Sequence, residues 1–395
     1  MTDSVSSRRT SDVLVIGGGF IGLAAALELA RAKLSVTVLE RETLGSEASW
    51  AGAGLTKPCS WNRHDPMAQL LRRGIWLHRT KNPQLVEETG IDVEYSVCGR
   101  LGLLVTDQQV RMAHSEIRGA EHYAEQYGSP LIDVIDIDEA RRIEPAIGAD
   151  APAVVRCFAT AQLRNPRVIQ ALRAACEKAE VSIVENEPVT ALLREGARVV
   201  GARTQTSEYS AGHTVLAAGA WSSRFDQDVR KLAPVEPVRG QIALLYMDRT
   251  LFHHVIERGP CYLIPRRDGH ILVGATTEPD AGFDKSTTRD GIDGLLADAF
   301  DIVPALKDAS LVKTWAGLRP GTPDHRPVIG IHESCPGLIF ATGHYKTGIC
   351  LMWITARVVC DLIVNGRTEV NLERCRPGRD FTSGKKHRRD RAPKH

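Results

Sequence analysis

The chain predicts an α/β fold, a Rossmann-like dinucleotide-binding domain interrupted by an inserted α+β domain built on an antiparallel sheet. Three observations carry this reading. Residues 11–41 read as strand, glycine-rich turn, helix and strand in that order. Patterns of the same kind return near 150–225 and 315–370, where a simple dehydrogenase would finish its nucleotide domain in one block. Between them, residues 235–313 change to alternating strands, as in an antiparallel sheet with one face on a core.

The opening stretch has a chemical reason at each position. Residues 13–16, VLVI, suit one buried parallel strand. Gly17, Gly19 and Gly22 follow in the spacing G-x-G-x-x-G. The first permits the sharp turn, the second lets a pyrophosphate approach the backbone, and the third lets helix and strand pack closely. The alanine- and leucine-rich run at 23–30 is strongly helix-forming. Its N-terminus offers N–H groups to phosphates. Residues 36–39 form a second strand ending at Glu40, where a carboxylate binds ribose hydroxyls and repels a phosphorylated ribose. The stretch by itself predicts an adenine dinucleotide and leaves FAD and NAD both open.

Composition bounds the rest. A chain of 395 residues exceeds one ordinary core, so two domains are expected. Net charge is +2, yet residues 376–395 hold eight Lys/Arg against two Asp/Glu. The remainder has no basic groove for nucleic acid, and the end reads as a basic disordered tail. Nine cysteines without a C-x-x-C pair predict reduced thiols in a cytoplasmic protein, with neither disulfide framework nor zinc site. Residues 1–10 form a polar tail without the apolar stretch of a signal peptide. No apolar run approaches the length of about 18 residues that an integral membrane segment needs.

Taken in order, residues 45–55 are rich in Gly, Ala and Ser, suited to backbone packed against a flat ligand, with Ser49 reaching a phosphate. Residues 66–89 are helical in pattern, with Pro83 expected to break or kink the run. Two short strands are expected about Gly99, a polar helix at 107–127 and a short helix at 138–145. An apolar segment at 153–159 precedes a helix at 165–179, with Pro166 in its first turn. A strand at 181–184 and a hairpin about Glu195-Gly196 follow. Residues 215–221, VLAAGAW, run from strand into a small-residue turn. Strands are predicted at 238–246, 255–256, 261–265 and 270–275, then a helix at 289–300. A last strand at 338–341 enters a glycine-containing turn and a helix reaching 364.

Six ordered stretches carry a family resemblance: GGGFIGLAAALELA, VLERETLGSEASWAGAG, GIDVEY, CYLIPRRDGHILVGATTE, WAGLRPGTPDHRPVIG and GLIFATGHYKTGI. Together they resemble the D-amino acid oxidase superfamily of flavoproteins, and within it the glycine oxidases of thiamine biosynthesis. The resemblance implies the D-amino acid oxidase / glutathione reductase-2 type of fold. It implies FAD-binding segments at 11–88, 151–225 and 315–372 and substrate-domain segments at 89–150 and 226–314. FAD would be bound without a covalent link, since no cysteine stands just before the T-P-D motif, near Gly317. A homo-oligomer is implied as well.

Residue by residue, the resemblance places Phe20 and Ile21 at the pyrophosphate and Glu40 and Arg41 at the adenosine. Ala48, Ser49, Ala53, Gly54 and Leu55 would line the FAD, and Val189 would meet adenine. Gly219 and Trp221 belong to a returning segment. Gly343 and the run His344, Tyr345, Lys346, Thr347, Gly348, Ile349 and Cys350 would wrap the flavin ring. Arg319 matches the arginine that binds the substrate carboxylate, a planar fork suited to it, and Tyr262 matches the active-site tyrosine. The implied activity is oxidative deamination of a small amino acid (glycine, sarcosine or a small D-amino acid) with O2. A D-amino acid dehydrogenase passing electrons to a quinone and an oxidase of another secondary amine are the alternatives. Three departures bear on the substrate. Lys346 stands where the family has a second arginine, Thr277 follows G-A-T, and the much bulkier Trp353 ends Leu351-Met352-Trp353 where the family has L-A-P. All three are expected near the pocket.

Overall fold

The computed structural model describes residues 8–58, 60–62, 64–128 and 130–382. The chain opens with β1 (Arg8–Ile16), α1 (Phe20–Arg31), β2 (Val36–Leu39), α2 (Ala48–Ala51), β3 (Leu55–Thr56) and α3 (Pro66–Thr89). It continues through β4 (Ser96–Val97), β5 (Arg100–Leu104), α4 (Asp107–Glu121), α5 (Ala124–Tyr127), β6 (Ile132–Ile135), α6 (Ile137–Ile143) and β7 (Ala153–Cys157). Next come β8 (Ala161–Gln162), α7 (Asn165–Lys178), β9 (Ser182–Val184), β10 (Ala191–Glu195), β11 (Arg198–Arg203), β12 (Glu208–Leu216) and α8 (Gln227–Leu232). The last third holds β13 (Glu236–Tyr246), β14 (Val255–Arg258), β15 (Cys261–Pro265), β16 (His270–Gly274), α9 (Arg289–Ile302), β17 (Ser310–Gly321), β18 (Val328–Ile331), β19 (Leu338–Thr342) and α10 (Gly348–Val364).

Two eight-stranded sheets result. The first runs β10-β11-β12-β1-β2-β9, with β19 also on β12 and β18 on β19. Its centre, β9-β2-β1-β12-β19, is parallel throughout. Val13, Leu14 and Val15 are fully buried there, as a parallel strand covered on both faces requires. α1 is apolar nearly all round and packs with α7 and α10 in one core. The second sheet runs β17-β13-β16-β15-β14-β5-β7-β6 and is antiparallel except at β14 and β5. A small third sheet, β3-β8-β4, lies beside them.

Several expectations are corrected. The helix α3 runs through Pro83 without breaking and closes on Gly90 in the left-handed region. Its N-terminus is fixed by the Asp65 side chain, which accepts the Met67 N–H, and its apolar face is buried along its length; this packing overrides the proline's local cost. The strands about Gly99 do not pair with each other. β4 joins β8, while β5 lies between β7 and β14. The polar helix at 107–127 divides into α4 and α5. β7, assigned by sequence to the nucleotide segment starting at 151, pairs in the second sheet, and so does β17 up to Gly321. β1 begins at Arg8, inside the stretch read as a tail.

The basic end also starts later than expected. Arg379 makes two bonds of 2.9 Å to the buried Asp324, and Phe381 packs on the core around Phe340. Residues 383–395, the bulk of the expected tail, lie outside the described residues, as does Cys59. The other eight cysteines are free thiols. Among the described residues no helix is long and apolar enough to cross a membrane, and no cluster could hold a metal ion.

The contact of α3 with α10 is unusually close. A side chain at Gly74 would collide with the Cys350 carbonyl oxygen. His78 and Asn82 follow Gly74 at intervals of one helical turn, so all three share one face. The His78 Nε2 lies 2.8 Å from the Ile349 carbonyl oxygen, and its Nδ1 lies 3.1 Å from the Asn82 amide nitrogen. The Trp353 indole N–H donates to the Asn82 amide oxygen at 3.2 Å. Trp353 therefore belongs to this core and is not a pocket residue as the sequence suggested.

Two predictions follow from this packing. A side chain at Gly22 would overlap the Gly17 carbonyl oxygen, so Gly22→Ala should lower stability by about 1–3 kcal/mol; an unchanged urea midpoint would contradict that. The second concerns acid. Burial lowers the pKa of His78 to about 4 and of His344 to about 3. The unfolded chain takes up these protons near pH 6.5, the folded chain only below about 4. Between those values the unfolded state binds more protons, so stability should fall as pH drops. Each group contributes up to about 1.4 kcal/mol per pH unit. Denaturation across pH 4–7 should show this slope, less steep in His78→Gln.

Candidate active site

A cavity of about 720 Å³ lies between the two sheets and is walled by residues of both. Its size falls within the range of sites for small molecules and cofactors. On the side of the first sheet, Gly17 has φ +108 and turns the chain from β1 toward α1. A side chain there would meet the backbone of Ala217. Gly19 precedes α1 with no side-chain cap, which leaves the first-turn N–H groups to other acceptors. The Phe20 N–H reaches the Ser49 hydroxyl oxygen at 2.9 Å. Ser49 thus caps the helix through its oxygen and keeps its own hydroxyl proton to donate.

Glu40 stands just past β2 and is buried. Its carboxylate accepts the Gly18 N–H at 2.7 Å and the Glu42 N–H at 3.1 Å. Burial raises its pKa, while these N–H groups and Arg41 pull it down. Arg41 stacks on the Trp221 ring at 3.6 Å and pairs with Glu47. The small-residue stretch about α2 is held from below by residues that sequence reasoning missed. The Asn165 side-chain amide donates to the Ser49 and Gly52 carbonyls at 2.6 and 2.9 Å. The Arg266 guanidinium donates to the Ala53 carbonyl at 2.8 Å. Burial lowers the Arg266 pKa to about 10.

The second sheet supplies the opposite wall. Trp315, Ile242, Gly274 and Tyr262 stand opposite one another across β17, β13, β16 and β15. Glycines hollow this face. A side chain at Gly240 would occupy the place of the Arg319 guanidinium. One at Gly274 would come within 2.6 Å of the Tyr262 hydroxyl, and one at Gly317 would strike Ala51. Isolated glycines within predicted strands are the signal for such close approach.

Arg319 and Tyr262 are both half-buried on the cavity wall. One Arg319 nitrogen donates to the Arg239 carbonyl at 3.2 Å and the Thr276 carbonyl at 3.0 Å. Among the described residues no carboxylate pairs with Arg319. Burial pushes the Tyr262 hydroxyl up to about 12, against the pull of Arg319, so it is a protonated donor at neutral pH.

Of the residues singled out by sequence, Gly17, Gly19, Phe20, Ile21, Glu40, Arg41, Ala48, Ser49, Ala53, Gly54, Leu55, Val189, Gly219 and Trp221 line this cavity. So do Tyr262, Arg319 and the run from His344 to Cys350. Gly22 and Gly343 do not; they serve the backbone, Gly22 at the α1–β1 crossing and Gly343 in a turn with φ +71. His344 is buried and neutral, with its Nε2 at 3.1 Å from the Thr355 hydroxyl. Lys346 is exposed at the rim and donates to the Thr277 hydroxyl at 3.1 Å.

The donor set fits a dinucleotide with a flat ring system: helix N–H groups and a hydroxyl in the middle, a buried carboxylate beside β2, and a cradle of glycines and alanines. The comparisons agree. The model of the FAD dependent oxidoreductase family, DAO, matches residues 12–362. A glycine oxidase from Pseudomonas aeruginosa is 37% identical over 91% of this chain and 96% of its own length. A bifunctional protein ThiO/ThiG from a Nostoc species is 33% identical over 91% of this chain and 54% of its own. The crystal structure of glycine oxidase from Geobacillus kaustophilus superposes with a TM-score of 0.86 at 28% identity, covering 94% of this chain and 99% of that one. The α1 cradle, the buried acid of β2 and the match over nearly the whole described chain lead to one conclusion: the protein belongs to the DAO family of FAD-dependent oxidoreductases.

Proposed function

We propose that the protein oxidises the Cα–N bond of a small amino acid, with glycine the first candidate. The observation that carries this reading is Arg319, a cavity cation held by two backbone carbonyls and paired with no described carboxylate. A guanidinium so placed keeps its full charge and a free edge for a substrate carboxylate. FAD, when bound, supplies the two-electron acceptor and passes the electrons to O2, giving H2O2. Arg319 anchors the carboxylate and so fixes which substrate bond faces the ring; catalysis is largely this positioning. The protonated Tyr262 adds a hydrogen bond beside it. Water then releases ammonia and the oxo acid from the imine. The similarity to glycine oxidases and to ThiO/ThiG proteins supports glycine as substrate and a place in thiamine thiazole synthesis.

Anaerobic mixing of the holoenzyme with a panel of small amino acids and secondary amines tests the reading by bleaching of the flavin bands. If no amino acid bleaches them, the proposal fails. Oxygen uptake, set against reduction of a quinone analogue, then separates oxidase from dehydrogenase. Arg319→Ala should cost roughly 2–5 kcal/mol in kcat/KM for a carboxylate substrate. Kinetics indistinguishable from the parent would remove Arg319 from the site.

A further inference from the structure

The first turn of α10 lies on the cavity wall, with Thr347, Gly348, Ile349 and Cys350 all lining it. No side chain caps this helix start. Behind it stands the hydrogen-bonded chain that links Trp353, Asn82 and His78 to the Ile349 carbonyl. The direction of every bond in that chain is fixed. A carbonyl oxygen only accepts, so His78 Nε2 carries the proton. In the neutral ring Nδ1 is then an acceptor. Asn82 must turn its NH2 toward it and its oxygen toward the Trp353 indole, which only donates. His78, Asn82 and Trp353 are all buried, so water cannot replace a lost partner.

We infer that His78, through Asn82 and Trp353, is a positioning residue that sets the first turn of α10 against the bound flavin. The inference rests on the reading that this turn faces the flavin ring. Gly74 brings the two helices into backbone contact and brings the imidazole within reach of Ile349. His344 ties the preceding loop to the same helix one turn further on, through Thr355. The start of α10 is thus held by one neutral imidazole at Ile349 and by another at Thr355. The departure at Trp353 acquires a role from this: its indole completes the chain by occupying the Asn82 oxygen.

The experiment compares the FAD-loaded parent with His78→Leu, His78→Gln, Trp353→Phe, Asn82→Leu and Gly348→Ala. The readouts are the visible flavin bands, the flavin midpoint potential and the rate of FAD release on dilution. Loss of the buried hydrogen bonds to Ile349 and Asn82 should speed FAD release roughly tenfold in His78→Leu and shift the flavin bands. His78→Gln, whose amide can still donate to Ile349, should restore both. Trp353→Phe keeps the ring bulk, loses one bond, and should shift both readouts in the same direction by less. Asn82→Leu keeps the volume but removes both the donor to His78 Nδ1 and the acceptor for the Trp353 indole, and should behave as a broken chain. Unchanged bands, potential and release in a folded His78→Leu would overturn the inference. Should His78→Leu fail to fold, unchanged readouts in Trp353→Phe and Asn82→Leu would do so. Gly348→Ala tests the underlying reading separately. A methyl there meets protein only at His344, at an ordinary 3.7 Å, so a ligand lying on the turn is what would feel it. If Gly348→Ala is silent, the placement of the flavin against α10 falls and the inference with it. If Gly348→Ala responds and His78→Leu does not, the inference alone falls.

Discussion

Three strands of the first sheet meet at Gly17 with no side chain between them. Its N–H donates to the Leu39 carbonyl at 2.8 Å, closing on β2, and the Ala217 N–H returns to Ile16 at 2.9 Å, closing on β12. The two backbones come near enough that any Cβ at Gly17 would overlap Ala217. Because β1, β2 and β12 close together here, α1 starts directly over their ends, and Glu40 and the turn after β12 reach one cavity. The crossing of α1 over β1 at Gly22 repeats the constraint one turn later. The turn from β1 into α1 therefore presents backbone to the cavity, and the side chains of Glu40 and Ser49 are fixed by bonds to it.

The second sheet works differently. Its cavity face is cleared by glycines: the space at Gly240 holds the Arg319 guanidinium, that at Gly274 the Tyr262 ring, and that at Gly317 admits Ala51 of the facing segment. A charge in such a place is held by dipoles in place of an ion pair. Carbonyls of Arg239 and Thr276 take one guanidinium nitrogen, and this stabilises the cation without neutralising it. A counter-ion built into the wall would have to be displaced by every incoming carboxylate, at the cost of leaving a buried charge unpaired.

What could be read from sequence was what is local. The G-x-G-x-x-G turn, Glu40 and the run 344–350 each declare themselves within a few residues, and the structure brings them to one cavity. Trp353 was misplaced because nearness in sequence to that run is not nearness in space. It lies one helical turn beyond Ile349 and faces α3, toward Asn82. No local pattern distinguishes the two faces at the start of α10, where residues 348–354 are all apolar. β7 was misassigned for a related reason: a short, mostly apolar run announces a buried strand but not which sheet buries it. Asn165 and Arg266 act through carbonyls more than a hundred residues away, and nothing in the intervening chain marks the partner. The Arg379–Asp324 pair is likewise invisible in a tail that composition alone calls unstructured.

The cavity wall is drawn from stretches as distant as Gly17, Val189, Gly240 and Lys346. A molecule filling it touches chain from the beginning, middle and end of the sequence at once. The cofactor is then a mechanical brace as well as a reagent, joining surfaces that covalent structure leaves far apart. By mass action a ligand held only by the folded chain adds about 2.7 kcal/mol of stability at a concentration one hundred times its Kd. The supply of flavin would consequently bear on how much of the chain stays folded, as well as on the rate of any reaction.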